Sequence, residues 1–333
     1  MKSFLRFISR NRLYTVIEVA GMAIALAFIV FIGTYVTQES SYDTFVGDDV
    51  YVGSDSEFFG LSGTIKGSVE GRYPDIEAIC RLIGLKSLSG MEQSVTIGDE
   101  TMPQNALCVD SSFMSLIPIP MAVGDRNSVL ETISSVIISQ SFADKWFPEG
   151  NAIGNTLDIT IDNGTTSLTV TGIFEDMERT VLPQCDMIYR LEMLERHAPY
   201  ITHNGNGTTA TLYKIRPGAD IHAISSGILG ILKESDALYM SGICTAYDLI
   251  PFKEIHYGIG SSFPFPFENI VNRDLLRLFT AAGVLLLVFA LLNYISLTTA
   301  QVGFRVKEMA TRRLIGSSRG GIVLRYIGES FAV

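Results

Sequence analysis

Residues 19–36 read VAGMAIALAFIVFIGTYV, and residues 278–304 read LFTAAGVLLLVFALLNYISLTTAQVGF. Neither stretch holds a charged side chain. A helix of about 18 residues covers about 27 Å, close to the thickness of a bilayer's hydrocarbon layer. Two transmembrane helices are therefore expected, over 15–36 and 278–304. The second is longer than one span needs, so it is expected to tilt or run on past the bilayer. The first exceeds the apolar core of a secretory signal, about 7–15 residues, and no small-x-small cleavage site follows it, so it is expected to stay as an anchor. The alternative for either stretch is a buried helix in a soluble core, against which such long uncharged runs argue.

The flanks orient the spans. Lys2, Arg6, Arg10 and Arg12 precede the first, and Arg305, Lys307, Arg312, Arg313, Arg319 and Arg325 follow the second. Basic residues near span ends stay in the cytoplasm, so both ends are expected there. Residues 37–277 carry 15 Lys and Arg against 32 Asp and Glu, a net charge of −17. The whole-chain value of −10 thus hides a basic inside and an acidic exported part. An acidic surface is the wrong sign for nucleic acid, so no such partner is expected for the exported domain.

Between the spans, strand and helix signals mix, and the fold class expected is a membrane protein with an α+β extracytoplasmic domain over 37–277. In residues 156–174, TLDITIDNGTTSLTVTGIF, apolar residues alternate on both sides of Asp162-Asn163-Gly164, which predicts a hairpin. Residues 135–139 read as a strand, with Ser139 capping a helix through Trp146 that Pro148 and Gly150 end. Asp220 is expected to cap a helix through Lys233, and strands are expected over 209–215 and 244–250. About 240 residues leave room for two subdomains. Residues 1–14 read as a cytoplasmic amphipathic segment. Glu18 falls at the entry to the first span, at headgroup depth or hydrogen-bonded to a neighbouring helix. Residues 258–267, GIGSSFPFPF, form a loop near the second span, either at the membrane interface or ordinary domain surface.

Cys80, Cys108, Cys185 and Cys244 all lie in the exported stretch. Two disulfides with three possible pairings, or four buried thiols, are both compatible with this. No CxxC supports a zinc site, and His197, His203, His222 and His256 lack helical metal-ligand spacing, so no metal and no cofactor is expected in the chain. GxxxxGK[ST], HExxH, GxSxG and an EF-hand loop are all missing from the sequence, which leaves an enzyme reading without support.

After the second span, Val306, Met309, Ala310 and Arg313 recur at i, i+3, i+4 and i+7, which predicts a short amphipathic helix. Gly316 fits the position just past its end. Residues 305–321 then form a cytoplasmic segment, and the apolar residues 322–333 read as the start of a third span that the sequence does not complete.

Four stretches together resemble one family. They are RNRLYTVIEVAGMAIALAFIVFIGTYVTQESSYDTF, VDSSFMSLIPIPMAVGD, SQSFADKWFPEGNAIGNTLDI with LTVTGIFEDM, and LLNYISLTTAQVGFRVKEMATRRLIGSSRGGIVLRYIGES. They resemble the permease subunit of MacB/FtsX-type ABC transporters, with a MacB-like periplasmic core domain; such permeases have at least four spans, so against that pattern the sequence reads as truncated after the second transmembrane helix. The resemblance implies a multi-pass protein of the bacterial inner membrane, with residues 37–277 in the periplasm. It implies that the chain pairs with a second permease copy and with a cytoplasmic ABC ATPase subunit that binds the ATP. Other envelope proteins and membrane lipid are further implied partners. It implies a mechanical relay, in which ATP hydrolysis moves the exported domain to export or release a peptide, lipoprotein or small toxic compound. Lys307, Glu308, Arg312, Arg313, Gly316 and Arg319 are the residues the resemblance implies for contact with the ATPase, the alternative being positive-inside anchoring alone. The competing function is a two-span sensor or envelope scaffold that binds a ligand through its exported domain.

Overall fold

The computed structural model describes residues 12–55, 57–88, 90–162, 164–258, 265–314 and 320. The chain divides into two units, Ser41–Arg273 and the helical segments on either side of it.

The helical unit holds one helix over Arg12–Glu39 and another over Arg273–Leu314, of 28 and 42 residues. At 1.5 Å per residue these are about 42 and about 63 Å long. Their apolar windows are Val19–Glu39 and Arg273–Ser296, with mean hydropathy 2.3 and 2.5. A helix of a soluble core would bury its apolar side chains, yet Phe31 is 69% exposed and Leu278 64%. That much outward apolar surface requires lipid or protein cover, which answers the soluble-core alternative. Within this unit Tyr35 meets Phe279 edge to face at 5.8 Å.

The helix expected at Val306, Met309, Ala310 and Arg313 is found, as the last turns of the span's own helix rather than as a separate element, since that helix is unbroken to Leu314. Residues 305–314, RVKEMATRRL, are mostly strong helix formers, and the single Gly303 before them costs only about 1 kcal/mol. The helix begins at Arg273, ahead of the uncharged run from Leu278, and its opening turns carry Asp274 and Arg277, which pair at 3.2 Å.

Among its described residues the soluble unit is built on twelve strands: β1 (Val50–Ser54), β2 (Ile76–Gly84), β3 (Gln93–Ile97), β4 (Glu100–Pro103), β5 (Ala106–Val109), β6 (Met121–Val123), β7 (Ser135–Ser139), β8 (Thr156–Ile161), β9 (Gly164–Phe174), β10 (Met187–Arg190), β11 (Ala210–Ile215) and β12 (Asp248–Pro251). They form one sheet in the order β12-β1-β11-β2-β5-β10-β7-β9-β8-β3-β4, with β6 paired to β9. β5 with β10 and β7 with β9 are parallel, and the remaining pairs are antiparallel.

The hairpin expected over 156–174 is β8 and β9, in register from Thr156↔Thr169 to Ile161↔Gly164. Asp162 takes the left-handed conformation the turn demands, φ 50°. The Ser139 hydroxyl accepts from the Phe142 N–H at the start of Gln140–Trp146, and the Asp220 carboxylate accepts from the Ala223 N–H at the start of Ile221–Ser235. The strand expected over 244–250 is found only at its end. The N–H groups of Thr245 and Ala246 turn instead to the Asp55 carboxylate, at 2.9 and 2.7 Å, which takes them out of the ladder.

Side chains alternate across the sheet, and both faces are covered. Leu107 and Val109 join one apolar cluster with Cys80, Leu82, Ile188 and Leu212, packed under Phe113, Val181, Leu182, Phe252 and Phe267. Ala106 and Cys108, on the other face of β5, join a second with Ile138, Leu157, Tyr189 and Leu194. A third, with Ile79, Tyr213, Ile224, Ile228 and Leu232, lies under the Ile221–Ser235 helix. Ile79 and Ile83 belong to the third and second clusters, and Arg81 stands between them on β2. Arg81 closes that seam: its guanidinium forks onto Asp110 at 3.1 and 2.9 Å and reaches Glu195 at 2.7 Å, while Lys66 adds a 3.0 Å bond to Asp110.

All four cysteines are free and buried. Cys80 and Cys108 lie on neighbouring strands but belong to clusters on opposite faces, too far round the pleat for a bridge. Burial pushes each thiol above its ordinary range, which makes them poor nucleophiles.

Candidate functional site

Four of the six residues implied for ATPase contact, Lys307, Glu308, Arg312 and Arg313, stand on the last turns of the Arg273–Leu314 helix. Because the helix is continuous with the apolar window, these positions are joined to the span by unbroken hydrogen-bonded backbone. Gly316 and Arg319 lie outside the described residues, as do residues 1–11 of the expected amphipathic segment, residues 259–264 of the Pro/Phe loop and residues 321–333 of the expected third span.

A second constellation lies in the soluble unit, where the chain arrives from the first helix and departs toward the second. Asp43, four residues past Glu39, is fully buried. Its N–H donates to the Arg179 carbonyl at 3.0 Å. Its carboxylate accepts from the Thr180 hydroxyl at 2.6 Å and from the Val181 N–H at 3.3 and 3.4 Å. The Thr180 hydroxyl in turn accepts from the Leu182 N–H at 3.1 Å. Arg179 Nη1 reaches the Ser41 hydroxyl at 3.3 Å.

The departing chain is fastened to the same loop. Asn269 Nδ2 donates to the Thr180 carbonyl at 3.1 Å. The Glu268 N–H donates to the Val181 carbonyl at 2.9 Å, and the Glu268 carboxylate accepts from the Gln184 N–H at 3.2 Å. His256 closes the ring of contacts. Its Nδ1 donates to the Asn269 carbonyl at 2.7 Å, and its imidazole stacks on Tyr42 at 3.8 Å. Arg273 pairs with Glu254 at 2.7 Å and lies over the Tyr257 ring.

Burial raises the Asp43 carboxyl to about 6; the bonds from Thr180 and Val181 and the more distant charges of His256 and Lys253 pull the other way without offsetting it. The one hydroxyl bonded to Asp43, that of Thr180, is itself fully buried, and every contact of this collar fastens one chain segment to another. The sequence alone, in SSYDTF, gives Asp43 no role. Nothing in a linear sequence says that residue 43 meets residues 180 and 269; the one local hint is that Asp and Asn tolerate the left-handed backbone found at Asp43 and Asn269, φ 52° and 56°.

A family model described as the MacB-like periplasmic core domain matches residues 15–230. Among solved structures, a domain of a protein described as a permease, from Porphyromonas gingivalis, is 21% identical with a TM-score of 0.49, and the match covers 62% of this chain and 91% of that one. The periplasmic region of MacB from Actinobacillus actinomycetemcomitans is 11% identical at TM-score 0.44, covering 63% and 92%. The extracellular domain of the noncanonic ABC-type transporter YknZ from Gram-positive bacteria is 13% identical at 0.41, covering 60% and 99%. No curated protein matches the chain.

Proposed function

The chain belongs to the MacB-like periplasmic core domain family, and from that premise we propose that it is the permease subunit of an ABC transporter working as a mechanical relay. ATP hydrolysis in a cytoplasmic partner subunit moves the spanning helices, and the helices move the domain of residues 41–273 on the far side of the bacterial inner membrane. The observation that carries this reading is the family match over 15–230, which takes in the first span and most of the soluble unit. The unbroken Arg273–Leu314 helix supports it, since a rod of about 63 Å is long enough to cross a bilayer and still present Lys307, Glu308, Arg312 and Arg313 beyond it. The 42 residues need no hinge, and a hinge would absorb the displacement being relayed.

In this reading the acceptor of the rod's basic end is an acidic or hydrogen-bonding surface on the ATPase, and a second copy of the permease completes the assembly. Gly316 and Arg319 belong to the same contact. Cargo is a peptide, lipoprotein or small toxic compound handled on the periplasmic side, and it need not cross through the spans.

Co-purification from native membranes tests the partner. The chain is expected to recover an ABC ATPase, and Arg312→Glu with Arg313→Glu to reduce recovery by at least tenfold, since like charge at a contact costs several kcal/mol. Undiminished recovery by the double variant would remove the basic helix end from the contact. Recovery of no ATPase, with a ligand-dependent output kept in its absence, would favour the sensor reading. Topology is tested separately: in inside-out vesicles added protease should spare residues 41–273, and digestion of that unit with sparing of the ends reverses the proposed orientation.

A further inference from the structure

The chain leaving the first helix and the chain approaching the second are both tied to a single loop, residues 178–184, and Thr180 bonds to both, beside the ties to Arg179, Val181 and Gln184. Asp43 takes the Thr180 hydroxyl and Asn269 its carbonyl. We propose that Asp43 is the positioning residue of this junction: through Thr180 it clamps both membrane-connected segments to the turn between β9 and β10, so that displacement of either helix enters the sheet at one point. This deepens the relay reading and rests on it.

Three observations carry the inference. The first is the cost of the group. A carboxylate at zero exposure that makes no ion pair among the described residues is disfavoured by desolvation, where a neutral side chain would not be. What it gains is two donors from adjacent residues of one loop, and bonds to a charged acceptor are stronger than neutral ones. The second is backbone conformation. Asp43 and Asn269 both sit at positive φ, a state that persists where surrounding contacts over-determine it. Both are held by Thr180, one through its hydroxyl and the other through its carbonyl. The third is where the loop leads. It joins the end of β9 to the start of β10, and these strands flank β7 inside the sheet rather than at an edge. Val181 and Leu182 of the loop are wholly buried in the cluster on that face, so the loop cannot shift without moving the core.

The raised Asp43 carboxyl fits a group held by geometry rather than by an ion pair. His256 and Lys253 are the positively charged or titratable groups that bear on it.

Hydrogen exchange on the full chain in lipid nanodiscs tests the clamp, read by mass spectrometry. Asp43→Asn and Thr180→Val should each speed exchange about tenfold or more in residues 41–46, 178–184 and 265–271 together, with β3, β4 and β8 unchanged. The double variant should be no faster than either single one, and Thr180→Ser, which restores the hydroxyl, should match the parent. Faster exchange confined to 41–46, an equal rise across the whole sheet, or no change would each overturn the proposal. Should Asp43→Asn fail to fold, the Thr180→Val and Thr180→Ser pair decides alone. A second arm uses the complex with its ATPase and a spin label at the exposed Glu100 of each copy. ATP should change the label separation in the parent. Asp43→Asn should keep hydrolysis within about twofold yet lose that change, since the coupling and not the ATP site is altered. A variant that keeps the parent's change overturns the positioning role. A parent that shows no change sinks the relay reading, while the exchange result still decides the clamp.

Discussion

Asp110 at the seam and Asp43 at the collar are both buried carboxylates in one sheet unit, and they are held in opposite ways. Asp110 faces Arg81 and Lys66 at ion-pair distance. Burial pushes its carboxyl up, but the bonds and charge of Arg81, with Lys66 behind them, outweigh burial and hold it below the usual carboxylate range. Asp43 has a hydroxyl and one backbone N–H instead, and its carboxyl rises to about 6. The difference teaches what each region is for. The seam joins the two clusters on one face of the sheet with a fixed, paired charge. The collar holds two chain segments on one loop with a group whose charge depends on its surroundings.

The seam is where the comparison should break hardest. Arg81→Ala leaves Asp110 buried without its fork, and is expected to cost roughly 3–5 kcal/mol in denaturant unfolding of the purified chain. A cost no greater than that of an exposed substitution would mean that water reaches the seam. Arg81→Lys should fall between, because an ammonium cannot fork onto both oxygens. At the collar, Thr180→Val removes the donor to Asp43 and the acceptor for the Leu182 N–H, and is expected to cost about 1–3 kcal/mol by the same measurement.

The two aspartates should also part company with pH. The folded protein binds the Asp43 proton more tightly than the unfolded chain, whose carboxyl lies near 3.8, so this group adds stability as pH falls through about 6. Asp110 is lowered, so its contribution is present above the ordinary carboxylate range and is lost as pH falls through the folded value. From about pH 7 to about pH 5, Asp43→Asn should remove a gain on the order of 1 kcal/mol that the parent shows. An unchanged pH profile would place the Asp43 carboxyl back in the ordinary range. Ser139→Ala, in neither region, gives the baseline: loss of one helix cap, about 0.5–1 kcal/mol, independent of pH over the same window.

Much of the local structure was legible because its cause is local. The alternation around Asp162-Asn163-Gly164 wrote the β8–β9 hairpin, and Ser139 and Asp220 announced their helices as caps. β5 was not legible. Its residues ALCV are buried on both faces, so no alternation of polar and apolar marks it, and its parallel partner β10 is about 80 residues away. The 244–250 stretch misled because its N–H groups answer to Asp55, a residue about 190 positions earlier.

The sequence by itself determined the membrane character of the chain, the acidic sign of its middle and the basic end of its long helix, since charge and apolar length add up residue by residue with no knowledge of contacts. Only the tertiary structure decided that the two ends of the soluble unit meet on Thr180, and that Cys80 and Cys108 face apart. Both depend on which strands lie side by side, and that is settled by packing over the whole sheet, where residues hundreds of positions apart become neighbours.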